Sequence, residues 1–207
     1  MSTIHSFRDD YSFLSNFYPC TIYLFGIKFN SVEAAYVAAK VPEHMPWIRE
    51  KVARLSASNA KKFGRGEYFF EDENPENQKI NIRSDWSDEM RIGVMRILLY
   101  QKFHPIFNPN LAGLIMDTKT AELIERNTWG DEFFGVYQGK GENHLGRLLT
   151  QRRTELFLEK ERYLSFVFLS ENFLQTALSG SFQFSEVREF YGKYERGEVN
   201  KKLFLKF

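Results

Sequence analysis

Residues 83–103 read RSDWSDEMRIGVMRILLYQKF, and the spacing of their apolar side chains predicts the central element of the fold. Trp86, Met90, Val94 and Ile97 recur at spacings of four, four and three, which puts them on one face of an α-helix. Ile92, Met95, Leu99 and Phe103 widen the stripe, while Asp88, Glu89 and Arg91 hold a polar side. A helix with two apolar edges is packed on more than one side.

Working outward toward the N-terminus, Thr21–Phe25 and Ile27–Phe29 flank Gly26 and read as short strands or a tight hairpin. Asn30 then starts a helix, with Glu33 three residues on as a capping-box partner and Val32, Ala35, Tyr36 and Ala39 as its apolar face. Pro42 and Pro46 break the pattern before helical stretches at Trp47–Leu55 and Ala57–Phe63, the second ending at Gly64. Gly66–Ile82 contains the acidic, polar run EDENPENQ and reads as an exposed surface insertion, with a substrate-covering lid as the alternative.

Toward the C-terminus, His104–Asn110 is a turn, Leu111–Met116 a short helix, and Glu122–Glu125 an extended segment. Thr128–Asn143 is rich in glycine and aromatic residues, and Leu145 to about Phe157 is helical. Tyr163–Leu178 and Phe184–Tyr194 form two amphipathic helices around the turn Ser179-Gly180-Ser181. The expected architecture is α+β and predominantly helical, with a short N-terminal strand pair or small sheet. Residues 1–154 make one domain, and residues 155–207 a helical extension too short to fold alone, which packs on that domain or on a partner.

Composition narrows the function classes. The 207 residues are 43% hydrophobic, with 21 phenylalanines and 10 tyrosines, enough for an aromatic-rich core. Basic and acidic residues number 28 and 27, so a net charge of +1 provides no extended nucleic-acid surface, although a local basic pocket for a phosphate remains open. A single cysteine, Cys20, excludes an intramolecular disulfide and a cysteine zinc cluster. The polar start Met1–Asp10 lacks a signal-peptide core, and no apolar run approaches membrane-spanning length, so the expected location is the cytoplasm, without a membrane partner.

Two regions have residues suited to chemistry. Glu33, near a helix start, either caps that helix or faces a pocket as a carboxylate that stabilises positive charge and orients water. Lys40, two turns further on, returns to a similar face, where it binds phosphate or solvates the helix. The segment NTWGDEFFGVYQGKGENHLG, residues 127–146, has four glycines before Asn143, two of them flanking Lys140. Such a segment can bring backbone N–H groups, Gly130 among them, close to a ligand. Trp129 offers a flat face for a base, and Asp131 and Asn143 can bind hydroxyls or water; alternatively, this is a connector with Trp129 in the core and Asp131 making a turn. Arg83 and Trp86 open the central helix as a phosphate fork and a pocket wall, or as a surface ion pair and a core residue. Ser15-Asn16-Phe17 sets a polar turn beside Glu33, or simply ends a strand. His5, His44, His104 and His144 have no metal-ligand spacing, and neither Cys20 nor Ser31 sits in a nucleophile motif, so no metal or cofactor is expected.

Taken together, FLSNFYPC (13–20), FNSVEAAYVAAK (29–40), IRSDW (82–86), VMRILLYQKF (94–103), LIERNTWGD (123–131) and GKGENHLGRLLTQRR (139–153) resemble the YbiA-like, or NADAR, family. The resemblance spans about Phe7–Arg153 and implies a YbiA-like fold with N-glycosidase-like chemistry. It places the family's acidic residue on Glu33, its Trp-Gly-Asp block on Trp129, Gly130 and Asp131, its Arg-x-x-Trp pair on Arg83 and Trp86, and its Asn-x-Leu-Gly block on Asn143–Gly146. The sequence departs from the family at Ala35, where many relatives have histidine, in the added residues Phe133–Gln138, and in a longer loop before Arg83. Three functions follow from the resemblance. One is hydrolysis of the ribose–base bond of a phosphorylated ribosylamino-pyrimidine of the riboflavin-intermediate type, or of a related nucleotide. The second is removal of ADP-ribose from modified guanine, and the third is non-catalytic binding of NAD or ADP-ribose. Under the hydrolytic readings Glu33 and Asp131 are catalytic, Trp86 and Trp129 hold the base, and Arg83 or Lys40 grips phosphate.

Overall fold

The computed structural model describes residues 2–71, 74 and 78–161. It is a mixed α+β fold, mostly helical, with three small strand pairs rather than one sheet. The expected hairpin pairs β2 (Ile22–Leu24) with β3 (Ile27–Phe29) antiparallel, in the register Ile22↔Phe29 and Leu24↔Ile27. Phe25 and Gly26 between them both have positive φ, 55° and 71°, as a two-residue type I′ turn demands. The other pairs are parallel. Strand β1 (Thr3–Ile4), which alternation alone does not reveal in so short a segment, lies beside β4 (Glu122–Leu123), and β5 (Arg126–Asn127) lies beside β6 (Val136–Tyr137).

Helix α1 (Val32–Lys40) is buried all round: Val32 and Ala34–Ala39 are all in the core. Its alanines let α2 (Pro46–Ala53), α3 (Ala57–Gly64) and α4 (Asp88–Lys102) approach it closely. The N-cap is Ser31, whose Oγ accepts the Ala34 N–H at 3.2 Å, and not Asn30. This one-residue shift puts Glu33 at the second helical position, out of register for a reciprocal capping box. Pro46 breaks the preceding pattern only to occupy the first position of α2, where its missing N–H costs nothing.

Helix α4 starts later than the apolar stripe suggests. Ser87 caps it by accepting the Met90 N–H at 3.3 Å, and Arg83 and Trp86 lie in the turn before it. Arg83 holds that turn by donating to both carboxylate oxygens of Asp85, at 2.5 and 2.8 Å. As expected, α4 packs on more than one side, against α1, β2 and α6 (His144–Glu161). Between them, α5 (Pro109–Asp117) closes the core against α6. Helix α6 runs through the boundary expected at 154/155, pinned by Arg153, which donates to Thr118 Oγ1 and to the Ala121 carbonyl at 2.7 and 2.9 Å. The helices expected at Tyr163–Leu178 and Phe184–Tyr194 lie outside the described residues.

The loop before Arg83 is less free than its composition implies. Phe70 packs, tilted, against buried Phe63 at 4.7 Å between ring centroids and its N–H reaches the Gln78 carbonyl, although Phe69 and Ile82 are exposed. Among the described residues, no helix is long and apolar enough to cross a membrane.

Candidate active site

A cleft of about 840 Å³ opens between α1, α3, the start of α4 and the segments around residues 15–17 and 125–131. Its volume is in the range of small-molecule sites. Helix α1 supplies Glu33, Tyr36, Val37 and Lys40, the i, i+3, i+4, i+7 face that a helix presents to one side. The Glu33 N–H donates to the Asn16 carbonyl at 3.0 Å, tying the start of α1 to the Ser15–Phe17 turn. The same turn is held from beneath by fully buried Lys102, whose Nζ donates to the Ser15 carbonyl at 2.6 Å.

The opposite wall comes from the glycine-rich segment. Asp131 Oδ1 accepts the Phe133 and Phe134 N–H groups at 3.1 and 2.9 Å, while Asn127 bonds the backbone of Asp131 from both sides. Asp131 therefore makes a turn and lines the cleft at once, so the two readings of this residue are not exclusive. Trp129 is 40% exposed at the rim, not in the core, with Lys61 Nζ 4.1 Å from its ring centroid. The same ammonium lies 5.2 Å from the Phe17 ring. Deeper down, Tyr36 meets Trp86 and Phe134 edge-on, each at 5.5 Å, and forms an aromatic floor.

Seven of the expected site residues line this cleft: Asn16, Glu33, Lys40, Trp86, Trp129, Gly130 and Asp131. Three do not. Arg83 turns to Asp85 and, at 3.6 Å, to Glu43. Lys140 is exposed on the β6 side, its N–H and carbonyl paired with those of Tyr137. Asn143 accepts the Glu125 N–H with Oδ1 at 3.0 Å and donates to the Leu123 carbonyl at 2.9 Å, so it organises backbone rather than ligand. Phosphate-sized positive charge comes from elsewhere: Arg8, Lys61, Lys62, Arg65, Arg91 and Arg126 all line the cleft. Lys61 on α3 and Arg65 at its C-cap stand four residues apart, a spacing that sequence alone does not single out because what they face is set by the fold.

Burial sets the charge state of the site. Desolvation pushes the Glu33 carboxyl up, with Asp131 adding to the rise and Lys61, Lys40 and Arg65 opposing it. Desolvation likewise lowers Lys40 and Lys61, against the pull of Glu33. The Tyr36 hydroxyl is raised by burial, partly offset by its hydrogen bond to Arg91. Glu125, at the end of the segment that follows β4, also lines the cleft, and burial raises its carboxyl to about 7. Carboxylates and amines with displaced proton affinities, gathered in one aromatic-walled cleft, are equipped to bind a polar ring and move protons.

The NADAR domain matches residues 4–157, and the chain belongs to the NADAR family. Among its curated relatives are the N-glycosidase YbiA of Escherichia coli (30% identical over 158 residues, 75% of this chain and 88% of that protein) and its Shigella boydii counterpart at 31%. A riboflavin biosynthesis protein of Vibrio vulnificus is 35% identical over 153 residues, 72% of this chain, which spans only 36% of that longer protein. The NMR structure of E. coli YbiA superposes with a TM-score of 0.60 at 30% identity, covering 77% of this chain and 89% of that one. The mixed, mostly helical fold is thus the YbiA-like fold.

Proposed function

We propose that this protein is an N-glycosidase that hydrolyses the ribose–base bond of a phosphorylated ribosylamino-pyrimidine or a related nucleotide. The observation that carries this reading is the convergence of Glu33 and Asp131, from distant parts of the chain, on one cleft walled by Trp86 and Trp129 and rimmed by cations. Breaking an N-glycosidic bond builds positive charge at C1′ and the ring oxygen while electrons pass to the base. A carboxylate on the sugar face stabilises that charge, and one beside it accepts a proton from the attacking water. Glu33 and Asp131 take these roles, the tryptophans clasp the heterocycle, and Lys40 and Lys61 meet the phosphate. The names of the N-glycosidase relatives are consistent with this chemistry.

One observation favours a second substrate. Arg8, Lys61, Lys62, Arg65, Arg91 and Arg126 are more cations than a single phosphate needs, and the cleft has room beyond one ribose phosphate, as removal of ADP-ribose from guanine requires. No cofactor enters either reaction, and the cytoplasm is the proposed location.

The test is incubation of the purified protein with both substrate classes, with products identified by mass spectrometry. Release of free base from the ribosylamino-pyrimidine, or of ADP-ribose from the modified guanine, supports the hydrolase; tight binding of both without cleavage assigns a binding module instead. Glu33→Gln and Asp131→Asn are expected to lose about 10²–10⁴-fold in turnover with circular dichroism unchanged. Normal turnover in both would overturn the assignment.

A further inference from the structure

Two buried oxygens on the cleft wall have no hydrogen-bond partner among the described residues: Asn16 Oδ1 and Glu125 Oε2. A buried acceptor left unpaired costs roughly 1–3 kcal/mol, so such atoms persist where a ligand completes them. We propose that Glu125 is the general acid of the site, delivering a proton to the departing base, while Glu33 and Asp131 act on the sugar. This assignment rests on the N-glycosidase reading.

The backbone around Glu125 is built to hold it still. Its N–H is taken by Asn143 Oδ1 at 3.0 Å, and its carbonyl accepts the Val136 N–H at 2.8 Å. Gly135 lies against that carbonyl: a Cβ there would sit 2.5 Å from the Glu125 oxygen and 2.7 Å from Asn127 Nδ2. A side chain is thus aimed from a clamped peptide into the cleft, on a different segment from α1, which carries Glu33. The charged groups facing it are Lys61 from α3, Asp131 from the loop beyond β5, Arg8 from the N-terminal segment and Lys102 from α4. Burial outweighs the cations among them, and a carboxyl near 7 is half protonated at neutral pH. That suits an acid whose pKa matches its working pH.

In the step itself, the C1′–N bond breaks and its electron pair goes to the base nitrogen. The Glu125 proton joins that pair. Water forms the new C1′–O bond and gives its proton to Asp131 or Glu33, so one water is consumed and base and free sugar leave. Transfer of a proton from that carboxyl back to Glu125, directly or through solvent, restores the starting state.

A substrate series separates this role from a structural one. Glu125→Gln is compared with the unchanged protein on a ribosylamino-pyrimidine 5′-phosphate, whose base leaves poorly without a proton, and on 4-nitrophenyl riboside 5′-phosphate, whose leaving group needs none. Expected is a loss of about 10²–10⁴-fold on the first and under tenfold on the second, with the basic limb of the pH–rate profile near 7 gone. Imidazole, whose protonated form donates near neutral pH, is expected to restore part of the rate of Glu125→Ala on the first substrate alone, a rescue that a merely structural role would not give. Equal losses on both substrates, or an unchanged pH profile, overturn the assignment. If Glu125→Gln does not fold, Glu125→Asp is put through the same comparison with the same criteria. Should the unchanged protein release no base from any substrate, the glycosidase reading falls and takes this one with it; an active protein indifferent to Glu125→Gln sinks this one alone.

Discussion

Replacing Glu125 with glutamine is expected to stabilise the folded protein at pH 8 and to change it little at pH 5. Burial lifts the carboxyl from its ordinary 4.5 to about 7 in the fold, so between those values the folded state holds a proton that the unfolded chain has released. Stability must then fall as pH rises through that window, because the native state binds more protons than the unfolded one. At 1.36 kcal/mol per pH unit the full displacement corresponds to about 3 kcal/mol, an upper bound since water reaches the cleft. Glutamine has the shape without the charge and escapes the penalty. Urea denaturation of both proteins at pH 5, 6, 7 and 8 reads it directly: the difference in unfolding free energy should open from near zero toward about 1–3 kcal/mol in favour of Glu125→Gln. The difference at pH 5 calibrates any effect of the amide itself, so only its growth with pH counts. A constant difference across the range, or one that favours the wild type increasingly at high pH, would mean that Glu125 is solvated or paired as an anion, and the account of the cleft's electrostatics would be wrong. The sign matters for function too, since a residue that destabilises the fold at neutral pH persists for some other reason.

Two further outcomes follow from the geometry. Trp129→Ala removes a rim ring that is 40% exposed and lies beside Lys61, so the melting temperature is expected to stay within a few degrees while substrate affinity drops about 10–100-fold, as loss of one stacking face predicts; isothermal titration against a non-hydrolysed nucleotide measures it. Gly135→Ala forces a methyl against the Glu125 carbonyl and the Asn127 amide, and about 2 kcal/mol or more of stability should go with it, visible as a fall in the thermal midpoint.

Periodicity alone determined the parts of this protein that are local. The stripe from Met90 to Phe103 makes α4, and Gly26 between two alternating runs makes the hairpin, because a helical face and a turn's backbone angles are properties of adjacent residues. Glu33, Lys40, Trp86, Trp129 and Asp131 were legible as candidates because their residue types suit the chemistry and their blocks stand in family order. Position within a cap was not: a serine one residue later took over from Asn30, and Ser87 delayed α4 beyond Arg83. Lys140 and Asn143 were misplaced because a glycine-rich segment looks the same in sequence whether its backbone wraps a ligand or wraps itself.

Only tertiary structure decided who meets whom in the cleft. Glu33 on α1, Lys61 on α3, and Glu125 and Asp131 beyond β4 are brought together by pairings such as β1 with β4 and by the packing of α1 on α3 and α4, contacts between residues far apart in the chain. Their proton affinities depend on the burial created by that assembly, and desolvation has no counterpart in a string of residues. Sequence named Glu33 as a carboxylate in search of a pocket; the fold supplied the pocket, the cations opposite it, and the second acid that residue type alone did not single out.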